Sequence, residues 1–334
     1  MERRINDARN FNRIGIHTLI CPPPIITIHN TILTAYNKLA EVSGDVSVLV
    51  SGGSDSDIMV HLVNLIPHSC NINYVFFDTG IEYEVTKEHL DDMEKEYGIH
   101  VHRRKAKVPV PLAVKRYGVP FLAKRQSDYI GRLQSHGFDW EYGITLEDGL
   151  RKFGKCETAM KWWTCEYGDK SSFNITKHKL LKEFMSEHPP QFKISNKCCD
   201  YAKKKVSHMC DEEFHPALKL LGIRRAESGL RSQAYKNCFS PNYGGIPEYR
   251  PLFFWTDDDK AAYQKHYGVK YSRCYTEYGL KRTGCAGCPF GSRYNEEIEV
   301  IKKYEPKLYN AAMNIFGEAY DYCNAYREYK SKKG

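Results

Sequence analysis

Val48-Leu49-Val50-Ser51-Gly52-Gly53-Ser54-Asp55-Ser56 is the stretch around which the rest of this 334-residue chain is organised. A β-branched run from Asp45 to Val50 reads as a buried parallel strand, and Ile58, Met59, Leu62, Val63 and Ile66 recur at helical spacing from Asp55 to Ile66. A strand that feeds a helix through Ser-Gly-Gly leaves backbone N–H groups unpaired at a helix N-terminus. Partial positive charge there favours a phosphate or pyrophosphate. Gly52 and Gly53 permit positive φ and close approach of the backbone, and Ser51, Ser54 and Ser56 add hydroxyl donors. The stretch is an anion cradle.

No Gly-Lys-Ser/Thr follows at Walker A spacing, and the Gly-x-Gly-x-x-Gly pattern of dinucleotide folds is absent. The loop resembles the Ser-Gly-Gly-x-Asp-Ser PP-loop of the adenine-nucleotide α-hydrolase superfamily, which binds ATP and releases pyrophosphate on forming an adenylate. An ordinary strand-to-helix turn made of small residues is the alternative for so short a motif.

The residues that follow extend the pattern. Asn73 to Phe77 reads as a second strand, Glu82 to Tyr97 as a helix and Ile99 to Arg103 as a third strand, a βαβαβ run that implies a parallel sheet with right-handed crossovers. Ligands of such sheets sit at the carboxyl ends of the strands, which places Asp78, Thr79 and Gly80 with the loop at one pocket. The Phe-Asp-Thr-Gly-x-Glu stretch ending at Glu82 also resembles the phosphoadenylyl-sulfate (PAPS) reductase family. The expected fold class is α/β: a doubly wound, mostly parallel, adenine-nucleotide α-hydrolase-like sheet with a helical insertion and a C-terminal iron–sulfur and helical segment.

The expected organisation is an N-terminal lead-in at 1–29, the first part of the nucleotide-binding domain at 30–105, a helical insertion or lid at 106–195, the remainder of the domain with metal ligands at 196–300, and a C-terminal helix at 301–334. In the insertion, Lys115, Arg116, Lys124, Arg125, Arg132, Lys161, Trp162 and Trp163 could grip a nucleic-acid backbone and stack bases, or form a solvated lid with aromatic packing.

The formal charge of +8 is spread through the chain and points to anionic substrates without requiring nucleic acid. No secretory or membrane-spanning apolar run is present, and Met1 to Arg13 reads as a polar lead-in, so a cytoplasmic protein without a membrane partner is expected. In that compartment twelve cysteines point to metal or redox chemistry more than to disulfides.

Their clustering is informative. Cys198-Cys199 and Cys285-Ala286-Gly287-Cys288 together supply four thiolates, a set that suits zinc or a [4Fe–4S] cluster on chemistry alone. Between them, Gly222-Ile223-Arg224-Arg225-Ala226-Glu227-Ser228-Gly229-Leu230-Arg231 follows the strand Leu218–Leu221 and offers Arg224, Arg225 and Arg231 as bidentate oxyanion binders. The succession resembles the iron–sulfur adenylyl-sulfate reductases. That resemblance implies that Cys198, Cys199, Cys285 and Cys288 carry a [4Fe–4S] cluster.

Two departures set the expected reaction. The reductases end in a tail with a catalytic cysteine in Glu-Cys-Gly-Leu-His, whereas Cys323 here lies in a Tyr-rich helical stretch. Their loops also drift from Ser-Gly-Gly-x-Asp-Ser, which is intact here. The resemblance therefore implies a PP-loop enzyme that adenylates an acceptor with ATP and inserts sulfur, as in DNA phosphorothioation or tRNA thiolation. Ser51–Ser56 would hold the pyrophosphate, Asp78, Thr79 and Gly80 the adenosine, and Asp55 part of a Mg²⁺. Arg224, Arg225 and Arg231 would complete the catalytic set with Asp55. A cysteine desulfurase or similar donor would supply sulfur, a nucleic acid could be the acceptor, and self-association is expected of enzymes built this way. Cys156 and Cys165 are candidates for sulfur delivery or simple packing, and Cys274 is a substitute ligand. The competing readings are an adenylyl-sulfate or PAPS reductase with a divergent end, using adenylyl sulfate in place of ATP, and a non-catalytic nucleic-acid-binding protein stapled by a metal.

Overall fold

The five residues Val46–Val50 (β1) are almost wholly buried, as a strand covered on both faces must be, and they pair in parallel with Ile72–Asp78 (β2) on one side and Leu218–Leu221 (β4) on the other. The computed structural model describes residues 26–168, 171–227, 235–241, 245–291 and 293–333. Its six-stranded sheet has the order β3-β2-β1-β4-β6-β5, where β3 is Val101–Lys105, β5 Phe239–Ser240 and β6 Glu248–Tyr249. All pairings are parallel except β5 with β6. This is the expected mostly parallel α/β sheet with flanking helices.

Helices in chain order are α1 (Ile26–Glu41), α2 (Ser54–Leu65), α3 (Glu84–Tyr97), α4 (Val110–Tyr117), α5 (Lys124–Ser135), α6 (Leu146–Phe153), α7 (Glu157–Thr164), α8 (Leu181–Glu187), α9 (Lys197–Cys199), α10 (Lys205–Phe214), α11 (Asp257–Tyr267), α12 (Arg273–Thr276), α13 (Tyr294–Tyr304) and α14 (Pro306–Lys333). A π-helical run, Asp200–Lys204, joins α9 to α10. The chain divides into two compact units. The first comprises residues 1–78, 82–105 and 206–284, and the second 79–81, 106–205 and 285–334. The stretch 196–300 thus contributes to both.

In the first unit the apolar stripe of α1, Ile28, Ile32, Ala35 and Leu39, packs into one core with β1, β4 and the buried residues Ile58, Met59, Leu62 and Val63 of α2. Buried Trp255 joins this core and donates its Nε1–H to Thr31 Oγ1 at 2.8 Å. The sheet order itself fixes the site. From β1 the chain moves outward through β2 and β3, then returns to the other side of β1 at β4. Ligands of open α/β sheets bind at such a reversal, beyond the carboxyl ends of the strands. Leu49 pairs with Leu221, so the loop after Val50 and the Gly222–Arg224 segment after Leu221 leave the sheet side by side.

The second unit is helical around an aromatic core. Trp162 and Trp163 are fully buried, with Phe138, Trp140 and Tyr129 against them. Bases therefore cannot stack on Trp162 or Trp163, and the part of the lid reading that relied on them is withdrawn. Tyr322 and Tyr326 of α14 pack on Phe184, and Cys323 between them is buried with its thiol pushed up to about 11 by burial. No helix among the described residues is long and apolar enough to cross a membrane.

Candidate functional site

Gly52 has φ +64°, and a Cβ there would stand 2.6 Å from Thr86 Cγ2, so both conformation and space require glycine. Gly53 is the N-cap of α2 and supplies no side-chain cap. The loop closes on itself instead. Ser51 N–H donates to Ser56 Oγ at 3.0 Å, and Gly53 N–H donates to Ser51 Oγ at 3.3 Å.

The side chain of Asp55, in the first turn of α2, meets two cations. Arg224 Nε lies 3.0 Å and Lys260 Nζ 2.9 Å from its Oδ1, and Arg224 Nη1 lies 2.9 Å from Asp257 Oδ1. Lys260 also touches Ser54 Oγ. Arg224 is buried, and its contacts with Asp55 and Asp257 raise its pKa against the pull of burial. A buried guanidinium held between two carboxylates beside an open helix N-terminus is placed where an oxyanion could be received. Gly222 makes the approach feasible, since a Cβ there would come within 3.2 Å of the Asp55 backbone.

The loop is also flanked by hydroxyls. A Cβ at Gly53 would lie 3.1 Å from Thr283 Oγ1, 3.2 Å from Ser51 Oγ and 3.3 Å from Tyr275 OH. Neither Lys260, Tyr275 nor Thr283 was singled out by the sequence. Lys260 had a faint signal, a lone cation after Asp257-Asp258-Asp259 at a helix start. The two hydroxyls had none.

Two residues further along α2, Asp57 is buried and sits 3.1 Å from His89 Nε2. Burial raises the Asp57 carboxyl above its ordinary range despite the histidine. Burial alone would lower His89, but its contact with Asp57 outweighs that and raises it. The pair lines a cavity of about 150 Å³ with Glu88, Asp92, Glu96 and Tyr271.

Of the other expected oxyanion binders, Arg225 is exposed, with its backbone N–H bonded to Phe253 O, and Arg231 lies outside the described residues. Asp78 ends β2 in the first unit, whereas Thr79 and Gly80 belong to the second. There, Thr79 Oγ1 lies 3.5 Å from Cys285 Sγ, and Ala286 N–H donates to Ile81 O at 2.9 Å.

Cys198, Cys199, Cys285 and Cys288 all belong to the second unit. Cys198 shares a hydrogen bond with Cys199 that raises Cys198 and lowers Cys199 to about 6, and Cys198 also feels the charges of Cys288 and Cys285. Burial pushes Cys288 up. Gly287 turns the Cys-x-x-Cys segment at φ +66°, and Tyr320 OH of α14 donates to its carbonyl. Among the described residues no three His, Cys, Asp or Glu side chains converge as ligands of a single ion do. A four-iron cluster asks for something different, one thiolate at each of four separate irons. Four thiols within electrostatic reach of each other, with Lys124 and Lys203 lowering Cys199, fit that donor set.

Cys156 is buried and its thiol pushed up, which suits packing more than nucleophilic attack. Cys165 caps α7 in the left-handed conformation. Cys274 belongs to the first unit, 3.6 Å from Thr86 Oγ1.

Residues 45–130, which begin just before β1 and include the loop and Asp78-Thr79-Gly80, match the phosphoadenosine phosphosulfate reductase domain family. That match spans 45–130 of the 334 residues. Two relatives match more of the chain than this segment. An uncharacterized 37.8 kDa protein of Escherichia phage 186 is 25% identical over 270 residues, 79% of this chain and 72% of its own length. An uncharacterized protein of Methanocaldococcus jannaschii is 24% identical over 285 residues, 84% of this chain but only 43% of its own length. Among solved structures, PAPS reductase from Candida auris aligns with TM-score 0.39 and 14% identity over 76% of this chain and 93% of its own. The U34-tRNA thiolase NcsA of Methanococcus maripaludis with its [4Fe-4S] cluster aligns with TM-score 0.39 and 14% identity over 90% of this chain and 80% of its own.

Proposed function

We propose that the protein is a PP-loop ATP pyrophosphatase of the PAPS reductase type that adenylates an acceptor and then replaces the activated oxygen with sulfur. The observation that carries this reading is the clasp on the loop: Asp55 between Arg224 and Lys260, beside an uncapped helix N-terminus and the hydroxyls around Gly53. Such a cradle matches the charge of a pyrophosphate leaving group, which adenylyl sulfate lacks.

In this reading the loop N–H groups and Arg224 orient the phosphates and take up charge as the bond from the α-phosphorus to the bridging oxygen breaks. The electron pair leaves with pyrophosphate, an acceptor oxygen bonds to the α-phosphorus, and its proton passes to solvent. The terminal sulfur of a persulfide donor then displaces AMP, and a thiol reductant cleaves the resulting S–S bond. Asp55, whose Oδ1 is contacted by Arg224 and Lys260, would hold part of a Mg²⁺, which would neutralise charge on the phosphates. Cys198, Cys199, Cys285 and Cys288 would hold a [4Fe–4S] cluster. Such a cluster supplies a site for binding and handing over sulfur or electrons.

Anaerobically purified protein tests this. About four irons per chain with pyrophosphate release from ATP, stimulated by the acceptor, supports the proposal. The match to the reductase domain favours one competitor: iron without ATP turnover, but with sulfite formed from adenylyl sulfate or PAPS, would assign the protein to the reductases. Zinc with neither activity would leave a metal-stapled binding protein. DNA and tRNA added separately would show whether a nucleic acid is the acceptor.

A further inference from the structure

Lys260 stands where a lysine is electrostatically disfavoured. It lies in the first turn of α11, at the positive end of the helix, and its amino group is drawn in among Asp55 Oδ1, Ser54 Oγ and the ring of Tyr271. Local structure holds it there. Thr256 caps α11 in a reciprocal box with Asp259, and Asp257, Asp258 and Asp259 offset the helix dipole. Its side chain is only 19% exposed, so it does not serve solubility. At the same loop, Tyr275 OH and Thr283 Oγ1 lie 3.3 Å from each other and crowd the Cβ direction of Gly53. All of these residues belong to the first unit.

We propose that Lys260, with Tyr275 and Thr283, forms the second wall of the loop's anion site and binds the pyrophosphate of ATP. Without the anion, Lys260 is held on Asp55. An ammonium has three donors, so it can keep Asp55 and still reach a phosphate oxygen, and a compact point charge suits that task. The hydroxyls supply neutral donors to the same group. The inference rests on the reading of the loop as a pyrophosphate site, and it assigns leaving-group recognition to residues outside the loop motif.

Calorimetric titration of the full-length protein with inorganic pyrophosphate and, separately, with AMP, both in EDTA, tests it. Lys260→Met should weaken pyrophosphate binding about 10- to 100-fold and leave AMP binding and the melting temperature unchanged. Lys260→Arg should recover part of the loss. Tyr275→Phe and Thr283→Val should each weaken pyrophosphate binding about 2- to 10-fold. If wild type binds pyrophosphate and Lys260→Met binds it equally well, the inference is wrong while the loop reading stands. Parallel loss of pyrophosphate, AMP and melting temperature would make Lys260 a structural residue and also overturn it. Wild type that binds neither pyrophosphate nor ATP would remove both the inference and the reading beneath it.

Discussion

The loop and the cysteine corner solve the problem of burying polar groups differently. At the loop, Asp55 meets Arg224 at 3.0 Å and Lys260 at 2.9 Å, and Asp57 meets His89 at 3.1 Å, so opposite charges from distant parts of the chain are already in contact. At the cysteine corner, Cys198 is raised by its bond to Cys199 and Cys288 by burial, and these thiols answer mainly to each other. The first arrangement is electrostatically complete before any ligand arrives. The second keeps the Cys198 and Cys288 protons on sulfur while Cys199 is lowered to about 6. The loop should therefore keep its shape when empty, whereas the corner should depend on what fills it.

The largest effect that would break this contrast is at the corner. Cys198→Ala or Cys285→Ala should take iron from about four per chain to near zero and abolish the visible absorbance of a cluster, read by metal analysis and spectrum. Unchanged iron in both variants would place the cluster elsewhere. A smaller effect is expected at the loop. Gly52→Ala forces a side chain into φ +64° and a contact of 2.6 Å with Thr86 Cγ2. The conformation alone costs about 1–2 kcal/mol, visible in urea unfolding, and ATP binding should fall with it. An unchanged unfolding midpoint would mean the loop is not rigidly held.

The smallest effect sharpens the comparison within the loop region. His89 should titrate above the ordinary histidine value, and Asp57→Asn should lower it, since burial is then opposed only by the charges of Asp92 and Glu96. Proton-detected titration of the ring reads this directly. The sign for stability follows. With both pKa values raised in the folded state, the native protein binds more protons than the unfolded chain. His89 therefore stabilises below pH 6.5 and its contribution is lost as pH rises through its raised value. The strain from Asp57 grows over the acid range above 3.8, with the same sign. Stability of wild type that rises from pH 6 to 8 more steeply than that of Asp57→Asn would contradict the pairing.

Local sequence carried a great deal. The buried run at Val46–Val50 and the apolar spacing of α2 could form only a strand and a helix, because alternatives would expose Val48, Ile58 and Leu62 to water. Ser-Gly-Gly then had to form the turn between them. The clustering of Cys198-Cys199 and Cys285-x-x-Cys288 was equally legible, since thiol spacing is itself the signal.

Other readings failed or were invisible because they depend on packing. Basic and aromatic residues interleave at Lys161-Trp162-Trp163, but the tryptophans face inward, and composition cannot tell a stacking platform from a core. By itself the sequence determined the elements, the glycine turn between β1 and α2 and the clustering of the thiols, all of which follow from short-range backbone geometry, residue spacing and hydrophobic period. Only the tertiary structure decided that Lys260, Tyr275 and Thr283 meet a loop some two hundred residues earlier, and that Arg224 closes on Asp55. The reason is the sheet order: β4 returns to pair with β1, and that pairing, which no local pattern encodes, brings the two strand ends to one place.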